Sequence, residues 1–354
     1  MSAFKDNSGK ITSSFIQNVL QPQCGHHRKE VKTGPAYGVD TSIIDLGNNT
    51  GLAVSSDPLS LIPSLGLKES AWLSVHLLVN DMATTGFAPM YVQFVVNLPP
   101  KFTQKEFEEY WGYIHQFCRE CGVAITGGHT GQIAGQNSTM PGGGTMFLTA
   151  PAGELITSQG ADAGDSIIVT KETALTASSI LGMSFPKTVK NKLGTEIYDA
   201  ACKNFYRTSS LVDAVSAGEI LQKNVELKAM HDATEGGVLG AIYEMACASG
   251  CGFTVDSETL PAGEVQLQIT DLFDIDHRLC VGAGSMIMAV KPGCENRLIN
   301  HLKSKSIRAT VVGQVTEKEE GFRLIEDGVE RAFIFNEKDP YWEAFFKALH
   351  AGWK

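Results

Sequence analysis

Val79-Asn80-Asp81-Met82-Ala83-Thr84-Thr85-Gly86-Phe87-Ala88-Pro89 joins the end of one element to the start of the next. Leu73, Leu77, Asn80, Asp81 and Thr84 fall at helical spacing, which predicts a helix over Ser70 to Thr85 ended by Gly86. The β-rich run Tyr91 to Asn97 follows. Asp81 lies late in an otherwise apolar helix, where a charge needs a partner or a cavity, and its neighbour Asn80 supplies another oxygen.

The helix-then-strand order repeats outward. Downstream, Thr103-Gln104-Lys105-Glu106 is a capping box opening a helix that stops at Gly122, and Val123 to Thr126 is the next strand. Upstream, Ile43 to Leu46 and Leu52 to Ser55 read as strands around the turn Gly47-Asn48-Asn49-Thr50-Gly51. Residues 38–155 therefore read as an α/β domain, preceded by a polar arm over 1–37 that ends near Gly34-Pro35. Arg28, Lys29 and Lys32 of this arm stand just before a cation-poor region, which raises the expectation that the arm folds over bound phosphates.

Two more carboxylates join Asp81. Asp40 follows Gly38-Val39, and Asp57 follows Ala53-Val54-Ser55-Ser56. Singly, Asp40 also reads as a turn-former and Asp57 as a cap before Pro58; together the three converge on one divalent cation, and hard oxygen ligands suit Mg²⁺. Gly127-Gly128-His129-Thr130, after the run Val123 to Thr126, is a further polar candidate. Between Thr33 and Pro100 the only Lys or Arg is Lys68, and from Val123 to Thr170 there is none. A triphosphate in such a pocket is repelled by the carboxylates unless a metal bridges them. The Gly-x-x-x-x-Gly-Lys-Ser/Thr cradle is absent. Gly142-Gly143-Gly144-Thr145 reads as a loop or a place of close backbone approach to a nucleotide.

Residues 156–335 form a second segment. Ala161 to Ser166 is a turn feeding the strand Ile167 to Thr170, helical spacing runs from Ala174 to Leu181 and from Ile197 to Leu221, and strands lie near Ser285 to Val290 and Ala309 to Val315. His231-Asp232-Ala233-Thr234-Glu235-Gly236-Gly237 opens a helix reaching Gly250; Asp232 or Thr234 can cap it, while the glycines admit another backbone or a phosphate. His231 and Glu235 are candidates to orient a phosphate acceptor, or else they only cap. In residues 336–354, Asp339-Pro340 opens a helix with an apolar stripe of Trp342, Phe345, Phe346 and Leu349.

The 354 residues, with 43% hydrophobic and 19% charged side chains, describe a globular chain long enough for two domains. A net charge of −10 and a pI near 5.4 argue against nucleic-acid binding. No run of about 18 apolar residues appears, so no membrane span is expected, and the start lacks an apolar export signal; the cytoplasm is the expected location. The cysteines are spread too thinly for a disulfide scaffold, and the Cys118–Cys121 and Cys247–Cys251 spacings read as helix packing.

The segments Gly38-Val39-Asp40, Ser56-Asp57, Val79 to Pro89, Gly127 to Thr130 and His231 to Gly237, in this order, resemble the aminoimidazole ribonucleotide synthetase-like superfamily. That group includes the hydrogenase maturation factor HypE, selenophosphate synthetase and thiamine-monophosphate kinase, and the resemblance covers most of residues 38–316. It implies an α/β (α+β) two-domain fold: an N-terminal ATP-binding domain whose sheet pairs with a second subunit into a barrel, and a C-terminal domain of layered helices and mixed sheet. It further implies a homodimer binding ATP with Mg²⁺ through acids matched by Asp40, Asp57 and Asp81, with Asn80, Gly127, Gly128, His129, Thr130 and Asp232 as nucleotide contacts. His129 stands where the group's Gly-Asp-Thr motif has an acid, which points to a phosphate or ribose contact rather than a metal ligand. The closest local similarity is to HypE, whose chemistry uses a C-terminal Pro-Arg-Ile-Cys tail; here no cysteine follows Cys294. The expected reaction is ATP-dependent phosphorylation of an acyl, amide or thio-acid oxygen on a small-molecule or protein-borne acceptor. The opposing expectation is a non-catalytic scaffold that keeps the fold.

Overall fold

The computed structural model describes residues 9–354. Thirteen strands form two sheets among the described residues. The first sheet contains β1 (Val31–Thr33), β2 (Ser42–Gly47), β3 (Thr50–Pro58), β4 (Tyr91–Leu98), β5 (Ala124–Gln132) and β6 (Gly142–Pro151), in the order β1-β2-β3-β6-β4-β5. All neighbours are antiparallel except β4 and β5, which the Gln104–Glu120 helix connects in parallel. That helix starts where expected, with the Thr103 and Glu106 capping box formed in both directions.

Alternation along β4 places Val92, Phe94, Val96 and Leu98 inward and leaves Tyr91, Gln93 and Val95 exposed. The inward face packs under the Leu67–Ala83 and Gln104–Glu120 helices, with Leu78, Val79, Met82, Tyr110, Ile114 and Phe117 in the shared core. The outward face carries no helix, as a half-solvated antiparallel sheet allows. The arm is less simple than its polarity implies, because Val31–Thr33 adds an edge strand to this sheet.

The second sheet contains β7 (Ser166–Thr170), β8 (Leu227–Asp232), β9 (Gly252–Asp256), β10 (Met286–Val290), β11 (Ala309–Thr316), β12 (Phe322–Glu326) and β13 (Val329–Ala332), ordered β13-β12-β9-β11-β7-β10-β8. It is mixed, since β9 and β12 run parallel. Every residue of β10 is buried, as helices on both faces require: the Gly237–Ser249 helix covers one side and the Leu211–Ile220 and Glu295–Ser304 helices the other. The expected helix over Ile197 to Leu221 is two helices, Thr195–Phe205 and Leu211–Ile220, broken at Thr208-Ser209-Ser210.

That break is a seam between the halves. Trp72 Nε1 donates to Thr208 Oγ1 at 2.9 Å, and Asn80 grips the same segment, donating to the Thr208 carbonyl at 2.9 Å and accepting from the Ser210 N–H at 2.8 Å. Lys171 pairs with buried Asp213 at 2.9 Å and donates to the carbonyls of Ser209 and Gly284. The Pro340–His350 helix begins on Asp339 as expected. Its buried face is Tyr341, Ala344 and Ala348, however, while Phe346 and Leu349 of the expected stripe stay exposed. No helix among the described residues is long and apolar enough to cross a membrane.

Candidate active site

Acidic side chains from both halves meet beside this seam. Asp40 sits in the loop before β2, Asp57 near the end of β3, Asp81 in the last turn of the Leu67–Ala83 helix, and Asp232 at the end of β8. Loop and helix are tied locally by the Thr41 and Thr84 hydroxyls, 3.0 Å apart. Ligand atoms of Asp40, His231 and Asp232 lie within 4.8 Å of one another, the one such grouping of metal-binding side chains among the described residues.

Electrostatics draw Asp57 and Asp81 into the same group. Burial raises the Asp81 carboxyl well above its ordinary range, and the charges of Asp232, Asp57 and Asp40 push the same way, while Ser55 Oγ donates to its Oδ2 at 2.7 Å. Burial raises Asp57 to about 6, with Lys10 opposing. Burial and Asp40 raise Asp232 to about 8. Asp40 is raised by burial against the pull of His231 and Lys10, and accepts from Ser158 Oγ at 3.2 Å.

Both carboxylate oxygens of Asp232 are buried without a hydrogen-bond partner. A buried carboxylate left bare beside other carboxylates is costly. Several hard oxygens with orphaned lone pairs and raised proton affinities make a donor set that fits Mg²⁺.

His231 plays a different part from the one expected. It is 1% exposed, its Nε2 lies 3.4 Å from Asp40 and 3.3 Å from Glu244, and its Nδ1 lies 2.7 Å from the Asp232 carbonyl. Burial would lower its pKa, but Asp40 and Glu244 outweigh burial and hold it near 9. Its Nε2, without a hydrogen-bond partner of its own, faces Asp40 and Glu244 from within the fold, which sets the ring behind Asp40 rather than towards an open acceptor site. Glu244, despite burial, is drawn down to about 2 by Lys10 and His231.

Three further expectations change. Asn80 is fully buried and turns its amide to the backbone of Thr208 and Ser210, so it faces the seam rather than a nucleotide. Glu235 accepts from the Lys10 N–H at 2.6 Å and the Trp342 indole at 3.2 Å, so it fastens chain segments rather than orienting an acceptor. Neither Asp232 nor Thr234 caps the following helix: its N-cap is Gly236, whose N–H is taken by Asp339 at 2.8 Å.

Gly127, Gly128, His129 and Thr130 lie within the exposed edge strand β5, not in a loop. A Cβ on Gly128 would stand 1.8 Å from the Phe94 carbonyl oxygen, so the pairing of β4 and β5 already accounts for a glycine there. Gly128 also joins Asp57, Ser56, Gln93, Gly143 and Thr145 around a depression of about 370 Å³ on the helix-free face of the first sheet. Gly142 to Thr145 is the start of β6 rather than a loop. Arg28 and Lys32 reach Glu30 and Asp45, not the acid cluster.

Four participants carry little or no signal in the sequence. Glu244 carries only the signal that Asp81 does, a lone carboxylate in an apolar helix. Ser55 and Ser158 carry none. Lys10, whose Nζ is 2.8 Å from Thr234 Oγ1 and 3.4 Å from Glu244, lies in an arm without periodicity.

The family described as AIR synthase related protein matches this chain twice, its N-terminal domain over residues 38–148 and its C-terminal domain over 162–325. A Methanocaldococcus jannaschii protein named provisionally for hydrogenase expression or formation is 26% identical over 74% of this chain and 74% of its own. The thiamine-monophosphate kinase of Buchnera aphidicola is 22% identical, covering 91% of this chain and 94% of its own. Among solved structures, hydrogenase maturation protein HypE in complex with ATP superposes with a TM-score of 0.66 at 18% identity, covering 95% of this chain and 97% of that one.

Proposed function

Since the chain belongs to the AIR synthase-related family, we propose that it is an ATP-using enzyme, dependent on Mg²⁺, that phosphorylates an acyl, amide or thio-acid oxygen. One observation carries the reading: Asp232, with two buried and unpartnered oxygens, stands beside Asp40 in a cluster of carboxylates whose proton affinities are raised. The carboxylates outnumber the cations beside them, Lys10 and His231, and a divalent metal ion accompanying the nucleotide would supply the missing positive charge. The thiamine-monophosphate kinase relative and the ATP-bound HypE neighbour support the choice of nucleotide.

Asp40, Asp57, Asp81 and Asp232 would hold the Mg²⁺, which when bound screens the phosphates and polarises the terminal phosphoryl group for in-line transfer. The protein's own work is placement. Ser55 fixes one oxygen of Asp81 and Ser158 one of Asp40, whose other oxygen lies 3.4 Å from His231. His231, lying between Asp40 and Glu244, backs the Asp40 carboxylate. The depression beside Asp57 offers room for the nucleotide body on the bare sheet face, with Gly128 at its wall and His129 and Thr130 on the adjoining edge. We further propose that two copies pair through this face, where Tyr91 and Val95 are exposed.

Calorimetry with Mg²⁺-ATP tests the reading. Binding heat is expected from the unaltered protein and its loss from Asp57→Asn with Asp81→Asn; no heat from the unaltered protein refutes the reading and leaves a scaffold. A screen for ADP release against carboxylates, amides and candidate protein partners then identifies the acceptor, and sedimentation reads the dimer.

A further inference from the structure

One cation stands in the acid cluster without a role in the mechanism above. Lys10 Nζ donates to Thr234 Oγ1 at 2.8 Å and pairs with Glu244 at 3.4 Å, while its charge also feels Asp40, Asp232 and Glu235. We propose that Lys10 is a ligand for the terminal phosphate of the nucleotide, delivered by an N-terminal strap that is fastened independently of the ammonium group. The proposal rests on the ATP reading and adds a residue to it.

The fastening is visible on the backbone. The Lys10 N–H donates to Glu235, whose other oxygen is held by the Trp342 indole. Three residues on, the Ser13 N–H and hydroxyl both donate to Glu337 at 2.6 Å. The strap is thus tied to the 334–342 region, and the Lys10 side chain, 49% exposed, keeps an open side. Other cations nearby in sequence are occupied: Lys68 lies over the Tyr206 ring, and Arg28 and Lys32 bond Glu30 and Asp45.

Charge balance then fixes what Lys10 does. Without nucleotide it is the counter-ion of Glu244, with the charges of Asp40 and Asp232 adding to its hold. Divalent ions entering the cluster neutralise those acids and weaken their hold on it. Metals in phosphoryl transfer bridge the terminal phosphates, so an ammonium in the same cluster lies alongside them, and lysine binds phosphate as a point charge. A residue serving only as a counter-ion would be released by metal and stay released when nucleotide arrives; a phosphate ligand is recaptured.

Acetic anhydride labelling of the full chain, read at Lys10 by mass spectrometry, separates these outcomes. Mg²⁺ alone is expected to raise labelling. Adding the β,γ-imido analogue of ATP should lower it about fivefold or more, and Mg²⁺-ADP less than about twofold, because charge-assisted contacts are strong and specific to the phosphate they meet. Equal labelling with Mg²⁺ alone and with the analogue overturns the proposal. Calorimetry gives the second arm: Lys10→Met should weaken the analogue at least about tenfold and leave ADP within about twofold, with Lys10→Arg recovering most of the loss. Undiminished heat from Lys10→Met removes Lys10 alone, whereas no heat from the unaltered protein removes the ATP reading with it.

Discussion

Asn80 and Asp81 are adjacent on one helix and face opposite fates. Asn80 reaches into the seam, where its amide donor and acceptor both find backbone partners. Asp81 reaches into the acid cluster, where one serine helps it and three other carboxylates oppose it. The seam leaves single atoms unpaired, Ser210 Oγ and Asp213 Oδ1, but its buried carboxylate has Lys171 as a partner, whereas neither oxygen of Asp232 in the groove has one. A buried carboxylate is compensated where the halves join and left bare where a ligand is to be received.

If that contrast is right, altering the seam should cost stability and altering the groove should cost binding. The largest effect is expected at the seam's ion pair. Lys171→Met leaves Asp213 buried and uncompensated and should cost about 3–5 kcal/mol, read from urea unfolding. Next is Asp232→Asn, which removes a carboxylate whose ionisation burial and its neighbour Asp40 oppose. It should weaken Mg²⁺-ATP about a hundredfold, near 2.7 kcal/mol, without lowering the melting temperature of the ligand-free protein; a lower melting temperature would contradict the unsatisfied cluster. Asn80→Ala deletes two buried hydrogen bonds and should cost about 2 kcal/mol of stability, with nucleotide affinity changed only as far as the helix shifts.

A smaller effect is graded by pH. Asp57 near 6 and Asp232 near 8 bind protons more tightly when folded than when unfolded, for which the ordinary aspartate value of 3.8 applies. Ligand-free stability is then fullest below that value and falls as pH rises through 6 and 8. His231 adds a same-signed loss: its contribution is full below 6.5 and fades through about 9. Mg²⁺ competes with those protons, so the rise in melting temperature that it produces should grow from pH 6 to pH 8. A rise that stays flat or shrinks over this interval counts against carboxylate ligation. Smallest of all, Trp72→Phe loses the single bond to Thr208 and should cost about 1 kcal/mol.

Much of the fold could be read from local pattern. Period and capping residues located the helices over Leu67–Ala83 and Gln104–Glu120 to within a few residues, and alternation located the strands around them. Asp81 stood out because a charge in an apolar helix is expensive. The pattern does not say which way a polar residue near a helix end turns, so it does not separate Asn80 from Asp81. Nor does it reveal that Asp40 meets His231 and Asp232, or that Lys10 meets Glu244, since those contacts join segments far apart in sequence and depend on how the halves dock. The cap at Gly236 was hidden for the same reason, its acceptor arriving from Asp339.

Gly38 bears on how the protein is made. A Cβ there would stand 2.3 Å from the Glu244 carbonyl oxygen, so the loop carrying Asp40 seats directly against the Gly237–Ser249 helix. During synthesis, Asp40, Asp57 and Asp81 leave the ribosome long before that helix exists. An interrupted chain thus carries three of the carboxylates without Asp232, His231 and Glu244, which complete the cluster.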